Sequence, residues 1–461
     1  MRKRFGIAIC ILTLVIGGCA CNLPEDLENV FGDASSAEGT SNEEDALNVE
    51  DIVNPEDATN AEETTNAENT AGAEETKNPE DTTTPVTEED IQPTKEPQET
   101  VVEEKTPLFT KTYTPSEKVL KVLGRAAFTE NTLWLVHSGS GAEFEFVGTK
   151  AVITFQGDST AYSGSGNQTH VGVFVNGECV SDFMMDKKEK KVTVFESEEP
   201  MACTITVVKL SEAPSSTVGI KSIEAESESD IKPTPVKEHY IEFIGDSITC
   251  GYGVEDENRD HHFSTETENA TKTYAYKTAQ ALDADYSLVS LSGYGIISGY
   301  SGDGQKHGEQ VLSKYYDKLG FSYGSYLGDT PYNTEWDFAK RQPDVIVINL
   351  GTNDESYTGT DQARRDEFVE GYVAFLKQVR EKNPDAVIFA TLGIMGDALY
   401  PSVQKAVEQY RAETGDEKVH TMRFDVQSMS DGIAADWHPT EKTHAKAANK
   451  LVKEIQAVMG W

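Results

Sequence analysis

The chain has 461 residues, 37% of them hydrophobic and 26% charged, which is the balance of a soluble globular protein too long for one core. A formal net charge of −39 with no basic stripe argues against nucleic-acid binding, because nothing is available to neutralise phosphates, and anionic surfaces should repel the protein.

In chain order, "MRKRFGIAICILTLVIGGCACN" places three positive charges before an apolar run from Phe5 to Ile16 and then small residues. Residues 1–21 therefore predict an export signal, the apolar run being too short for a membrane span. The "IGGC" end is similar to a bacterial lipobox, so Cys19 is expected to become a lipid-modified N-terminus after cleavage, ordinary secretory cleavage being the alternative. The expected location is the outer face of a bacterial membrane, reached only through that anchor, or otherwise the secreted medium.

Residues 22–106 repeat Glu, Thr, Asn, Ala and Pro with almost no large apolar side chain. Residues 22 to 105 hold 26 acidic against 3 basic residues, or −23 of the −39. Such a segment cannot offset chain entropy by burial, and the prediction is a disordered acidic linker spanning roughly 50 Å or more.

Over residues 107–225 the pattern turns to period-two alternation: "EFEFVG", "AVITFQG", "HVGVFVNGECV", "KKVTVFES" and "CTITVVKL" read as strands bounded by turn residues. Asn176-Gly177 between two such runs is a hairpin signal. An all-β sandwich, with no helix of any length, is expected. Cys179 and Cys203 are the one cysteine pair whose strands could be neighbours; the cysteines show neither metal-type nor disulfide-scaffold spacing, and they are expected to be unpaired. The proline-bearing stretch "ESESDIKPTPVKEHY" then marks a boundary, taken as a linker over 226–239.

From 240 to 461 the rhythm is strand, helix, strand. Apolar runs at 241–244, 286–291, 344–350, 386–392 and 419–426 alternate with helical patterns at 272–283, 361–382, 401–414 and 440–459. The fold class predicted for this part is α/β, a three-layer α/β/α domain around a five-stranded parallel sheet, with its site beyond the carboxyl ends of the strands.

Four segments reach that rim. "IEFIGDSITCGYG" brings Ser247 directly after the first strand, "SLSGYGI" ends the second, "VIVINLGTNDES" ends the third, and "AADWHPTEKTHA" precedes the last helix. Each alone is an ordinary turn or helix lead-in. Together they supply what acyl transfer needs: Ser247 as nucleophile, His438 as general base, Asp436 to accept from the other ring nitrogen, and the N–H groups of Ser247 and Gly293 with the amide of Asn353 as oxyanion donors. Trp437, between the acid and the base, is read equally as a sugar-ring contact and as a packing residue. His261 and His262 in "DENRDHHF" read as a polar loop rather than metal ligands, and His420 and His444 as packing or surface residues.

These four blocks, represented by Ser247, Gly293, Asn353 and His438 in order, resemble the SGNH or GDSL-type hydrolases over residues 240–460. Many members carry Asp three residues before the His, where this chain has Ala435; its acid, Asp436, is two before. With the β module, expected to be jelly-roll-like, and with "FMMDKKEKKVTVF" and "VVKLSEAPSSTVGIKSIE", the chain further resembles carbohydrate esterase family 2. The resemblance implies removal of O-acetyl groups from plant polysaccharides such as xylan and glucomannan, with no metal and no cofactor. It also implies that the acid is dispensable in some members, which work with a Ser-His dyad. Two alternatives stay open: an esterase of the same fold acting on lipids or other small esters, against which the polar, tyrosine-rich stretch 255–332 speaks, and a non-catalytic cell-surface glycan-binding protein. The oligomeric state is not legible.

Overall fold

Strand alternation and parallel crossovers both find their place in the computed structural model, which describes residues 106–164 and 166–461. The leader, Cys19 and the acidic segment up to residue 105 lie outside the described residues. Among the described residues, no helix is long and apolar enough to cross a membrane.

The first part is an antiparallel β-sandwich. Its spine is two long strands, Gly141–Gly157 and Glu189–Lys209, paired along their length. The register shifts between Gly148 and Lys150 and between Ala151 and Val152 are bulges that bend the pair, so that one strand serves both faces of the core. Phe144, Phe155, Ile153, Ile205, Ile223 and Leu133 fill that core. His170–Val175 and Glu178–Met184 form the expected hairpin: Asn176 and Gly177 both have positive φ, which is what a two-residue turn between right-twisted strands requires. The segment 226–239, read as a linker, includes a two-residue strand, Lys232–Pro233, that pairs back onto Phe144 and Glu145.

The second part is the expected five-stranded parallel sheet. Strands β1 (His239–Gly245), β2 (Ala284–Ser290), β3 (Val345–Asn349), β4 (Val387–Ile394) and β5 (Val419–Val426) lie in the order 2-1-3-4-5. The helices are α1 (Ser247–Cys250), α2 (Tyr274–Ala281), α3 (Thr352–Thr358), α4 (Gln362–Lys382), α5 (Tyr400–Thr414) and α6 (Glu441–Met459). Buried on both faces, the central strands read as continuous apolar runs. Ile244, Ile346 and Ile348 pack with Phe368, Tyr372 and Leu376 of α4 and Val403 of α5. Alternate residues Ile241, Phe243, Val345 and Val347 pack with Tyr274 and Ala275 of α2 and Leu451 of α6.

The two parts share buried surface. Val136 and Ala213 of the sandwich sit in one face of the α/β core and Leu123 in the other. The Tyr286 hydroxyl donates to the Gly139 carbonyl at 2.9 Å. Arg125, fully buried, reaches from the sandwich to Glu242 of β1 at 3.3 Å and donates to the carbonyls of Tyr316 and Lys318, with the rings of Tyr316, Trp336 and Phe338 around its guanidinium. The Tyr316 hydroxyl also donates to Glu242, at 2.9 Å. A buried charge stranded by loss of its partner costs about 3–5 kcal/mol. Arg125→Ala should therefore lower unfolding free energy in urea by about that amount, and Arg125→Met combined with Glu242→Leu should recover part of it; a single variant as stable as wild type would contradict this account.

Candidate active site

Ser247 stands where β1 ends and α1 begins. Asp246 caps the short helix, its carboxylate accepting from the Ile248 N–H at 3.0 Å, and Ser247 is the first helical residue, buried at the carboxyl rim of the sheet. Burial pushes the Asp246 carboxyl up to about 7, with the nearby Asp354 acting in the same direction.

His438 comes to that rim from the loop before α6, 191 residues later in the chain. The Ser247 hydroxyl lies 2.8 Å from His438 Nε2. On the other side of the ring, Nδ1 lies 3.2 Å from the Ala435 carbonyl and 3.1 Å from the Asp436 carbonyl. An Nδ1–H donating to these carbonyls leaves the Nε2 lone pair facing the serine proton, the tautomer that base catalysis needs. Burial holds the imidazole down to about 4, so the ring is neutral over the whole physiological range.

The Asp436 carboxylate, expected to orient His438, is engaged elsewhere. It accepts from the Tyr252 hydroxyl at 2.6 Å, from His262 Nδ1 at 2.8 Å and from the Phe263 N–H at 3.0 Å. Burial works to raise this carboxyl, but the Tyr252 and His262 contacts outweigh it and its pKa is lowered. The reason lies in the backbone: Asp436 and Trp437 have φ of 48° and 64°, successive left-handed residues that turn the Ala435 and Asp436 carbonyls toward the ring and the side chain away from it. Such conformations cost on the order of 1–3 kcal/mol each for residues other than glycine and need anchoring by their surroundings. The anchors are at hand. Beyond the three carboxylate contacts, the Ala435 N–H donates to Asp256 O and the Asp436 N–H to His261 O, each at 2.9 Å. A Cβ at Gly253 would come within 2.7 Å of the Ala435 Cβ, so only glycine allows the two loops to approach this closely. Tyr252 completes the arrangement by stacking on the His438 ring, centroids 3.9 Å apart at 17°.

Gly293 and Asn353 reach the same rim from the ends of β2 and β3. Gly293 has φ +81° and open space on its Cβ side, and its carbonyl accepts from the Tyr300 N–H at 2.8 Å. Asn353, at the start of α3, donates from Nδ2 to the Tyr294 carbonyl at 2.8 Å and, in a longer contact of 3.5 Å, to Asp246 Oδ2. The next residue, Asp354, is fully buried and accepts from the N–H groups of Ile296, Ile297 and Ser298 at 2.9, 2.7 and 3.1 Å, fastening the loop after β2 to α3. Burial dominates these donors and pushes its carboxyl up to about 6.

Tyr252 and Asp354 carry no signal of their own in the sequence, where they merely sit beside motif residues. Trp437 is half exposed, with the Arg259 guanidinium 4.5 Å from its ring centroid. His261 is an exposed partner of Asp256. His444 is buried in α6 and accepts from the Tyr274 N–H at 3.1 Å, a packing role. Cys179 and Cys203 are free thiols.

Two family models match the chain: the GDSL-like lipase/acylhydrolase family over residues 243–446 and the carbohydrate esterase 2 N-terminal domain over residues 122–235. The cellulase/esterase CelE of Acetivibrio thermocellus is 32% identical over 328 residues, 70% of this chain; the chain spans only 37% of that relative's length. An acetylxylan esterase/glucomannan deacetylase of Cellvibrio japonicus is 27% identical over 356 residues, covering 76% of this chain and 92% of the relative. Among solved structures, a family two carbohydrate esterase from Clostridium thermocellum in complex with cellohexaose matches with a TM-score of 0.64 at 30% identity, covering 74% of this chain and 99% of the other.

The position of the Asp436 carboxylate makes a quantitative prediction. Where a carboxylate holds the imidazole directly, Asp→Asn costs about 10⁴-fold in kcat. Here the carbonyls remain after Asp436→Asn, so the loss measured on an aryl acetate should stay below about tenfold; a 10⁴-fold loss would mean that the carboxylate holds the ring during catalysis.

Proposed function

We propose that this chain, which belongs to the SGNH or GDSL-like hydrolases with a carbohydrate esterase 2 N-terminal domain, is a serine esterase that removes O-acetyl groups from a hemicellulose of the xylan or glucomannan type. The observation that carries the reading is the 2.8 Å contact between a buried serine hydroxyl and a buried neutral imidazole whose far nitrogen is occupied.

In this mechanism Ser247 Oγ attacks the acetyl carbonyl carbon while its proton passes to His438 Nε2. The Ser247 and Gly293 N–H groups and the Asn353 amide, exchanging its long 3.5 Å contact with Asp246 for the substrate oxygen, receive the oxyanion. Collapse breaks the ester bond, and the departing sugar oxygen takes the proton from His438. Water then attacks the acetyl-Ser247 ester with His438 again as base, releasing acetate and restoring the serine. Asp436 acts at one remove, by holding Tyr252 and the left-handed loop that aims the ring.

The choice of an acetylated β-linked polysaccharide is supported by the name of the Cellvibrio relative and by cellohexaose in the Clostridium structure. The exposed ring of Trp437, beside the base, suits stacking on a pyranose. The leader residues support export with anchoring through lipidated Cys19.

Ser247→Ala should abolish acetate release from acetylated xylan, glucomannan and p-nitrophenyl acetate, by at least about 10⁴-fold, with thermal unfolding unchanged; undiminished activity would refute the assignment. Because the base works only when neutral and burial lowers its pKa, falling pH should remove kcat/KM through a limb near pH 4, not near the ordinary 6.5 of an exposed imidazole. A limb centred at 6.5 or above would contradict the buried, neutral ring.

A further inference from the structure

Behind Ser247 lies a set of buried polar groups that the mechanism above does not use. Glu212 belongs to the sandwich, three residues beyond the end of its long strand Glu189–Lys209, yet its side chain enters the hydrolase part. Glu212 Oε2 accepts from the Ser292 N–H at 2.9 Å, and Ser292 is the residue before Gly293. The Cys250 thiol, at the last position of the helix that begins with Ser247, lies 3.7 Å from the same oxygen and donates to Ser290 Oγ at 3.2 Å. One carboxylate oxygen thus bridges the nucleophile helix and the loop that carries the Gly293 N–H.

Glu212 is itself held from behind. Its own N–H donates to Glu268 Oε2 at 2.8 Å, and Lys209 Nζ donates to the carbonyls of Ser211 at 2.6 Å and Glu212 at 2.9 Å. All of these groups are buried. Glu212, Cys250 and Glu268 each offer one donor atom within 4.8 Å of the others, an arrangement that has the look of a cation site. The interior ammonium of Lys209 already supplies the countercharge, and burial raises both glutamates and the thiol toward their protonated forms. The cluster therefore reads as a clamp, balanced in charge by Lys209, closed on the oxyanion loop.

That loop needs a clamp. Gly293 has φ +81° with open space beside it, so its own contacts do not fix where its N–H points. Downstream it is tied by the Tyr300 N–H on the Gly293 carbonyl and by Asp354 on residues 296 to 298. Upstream, the side-chain tie is Glu212. An oxyanion donor contributes through placement, and displacement of about 1 Å in a catalytic group is enough to lose on the order of 10²-fold in rate.

We infer that Glu212 is a positioning residue for the oxyanion hole, contributed by the β-sandwich, so that the sandwich is part of the catalytic unit. The inference rests on the esterase reading given above. In the full chain, Glu212→Ala should lower kcat on p-nitrophenyl acetate by about 10- to 100-fold with KM within about twofold of wild type. It should weaken inhibition by an aryl boronic acid, whose tetrahedral adduct on Ser247 mimics the oxyanion, by a similar factor. Glu212→Gln keeps an oxygen that accepts from Ser292 at nearly the same size. It should fold even where Glu212→Ala does not, and show an intermediate loss of about two- to tenfold in both kcat and boronate affinity, the carboxylate's charge-assisted bond being replaced by a neutral one. A folded variant with wild-type kcat and wild-type boronate affinity would overturn the inference, as would a loss confined to KM. A wild-type protein that neither releases acetate nor binds the boronate would instead defeat the esterase reading, so the two failures are distinguishable.

Discussion

An imidazole that must stay neutral, and must present one chosen nitrogen to a serine, is the demand around which the rim of the sheet is built. Burial alone satisfies the first half, at the cost of a weaker base. The second half falls to two main-chain carbonyls, those of Ala435 and Asp436, which have no titration of their own in the working range of an enzyme. Their aim depends on two left-handed residues in a row, and those depend in turn on the loop from Gly253 to Phe263 being close enough to hold them. Tyr252 joins the two levels, its ring lying on His438 and its hydroxyl on the Asp436 carboxylate.

The rest of the rim follows a similar logic of buried carboxylates gripping backbone N–H groups. Asp246 holds the start of the nucleophile helix, Asp354 the far part of the loop after β2, and Glu212 the near part. Each costs desolvation, and each shows it in a raised pKa; each in exchange satisfies backbone N–H groups that no strand or helix ladder holds. A parallel sheet delivers its strand ends to one edge but leaves the loops beyond them undetermined, and here interior acids determine them.

What was legible in the sequence is what repeats or what is local. The period-two runs from "EFEFVG" onward, the Asn176-Gly177 turn and the alternation of apolar runs with helical patterns after residue 240 all depend on neighbours in the chain, and the structure has them. Ser247 and His438 were legible because their motifs are short and each sits at a strand end or helix entry. Asp436 was legible as a residue but not as a geometry: its spacing from His438 suits a carboxylate contact, and the sign of φ at two non-glycine residues, which decides otherwise, leaves no trace in composition. Tyr252 and Glu212 were missed for a different reason. Their partners, Asp436 and Ser292, lie 184 and 80 residues away, and tyrosine or glutamate beside a turn has many ordinary explanations.

Arg125 reaching from the sandwich into an aromatic cage against Glu242 bears on how such a chain changes over generations. Modules strung on flexible tethers are exchanged by recombination as whole cassettes, since nothing in one depends on the amino acids of the other. A lineage that has buried a guanidinium of one half against a carboxylate of the other has given up that freedom: a foreign sandwich would arrive without the cation, and its new neighbour would carry an orphaned anion. The two halves must be inherited together, and their substitutions must keep pace with each other.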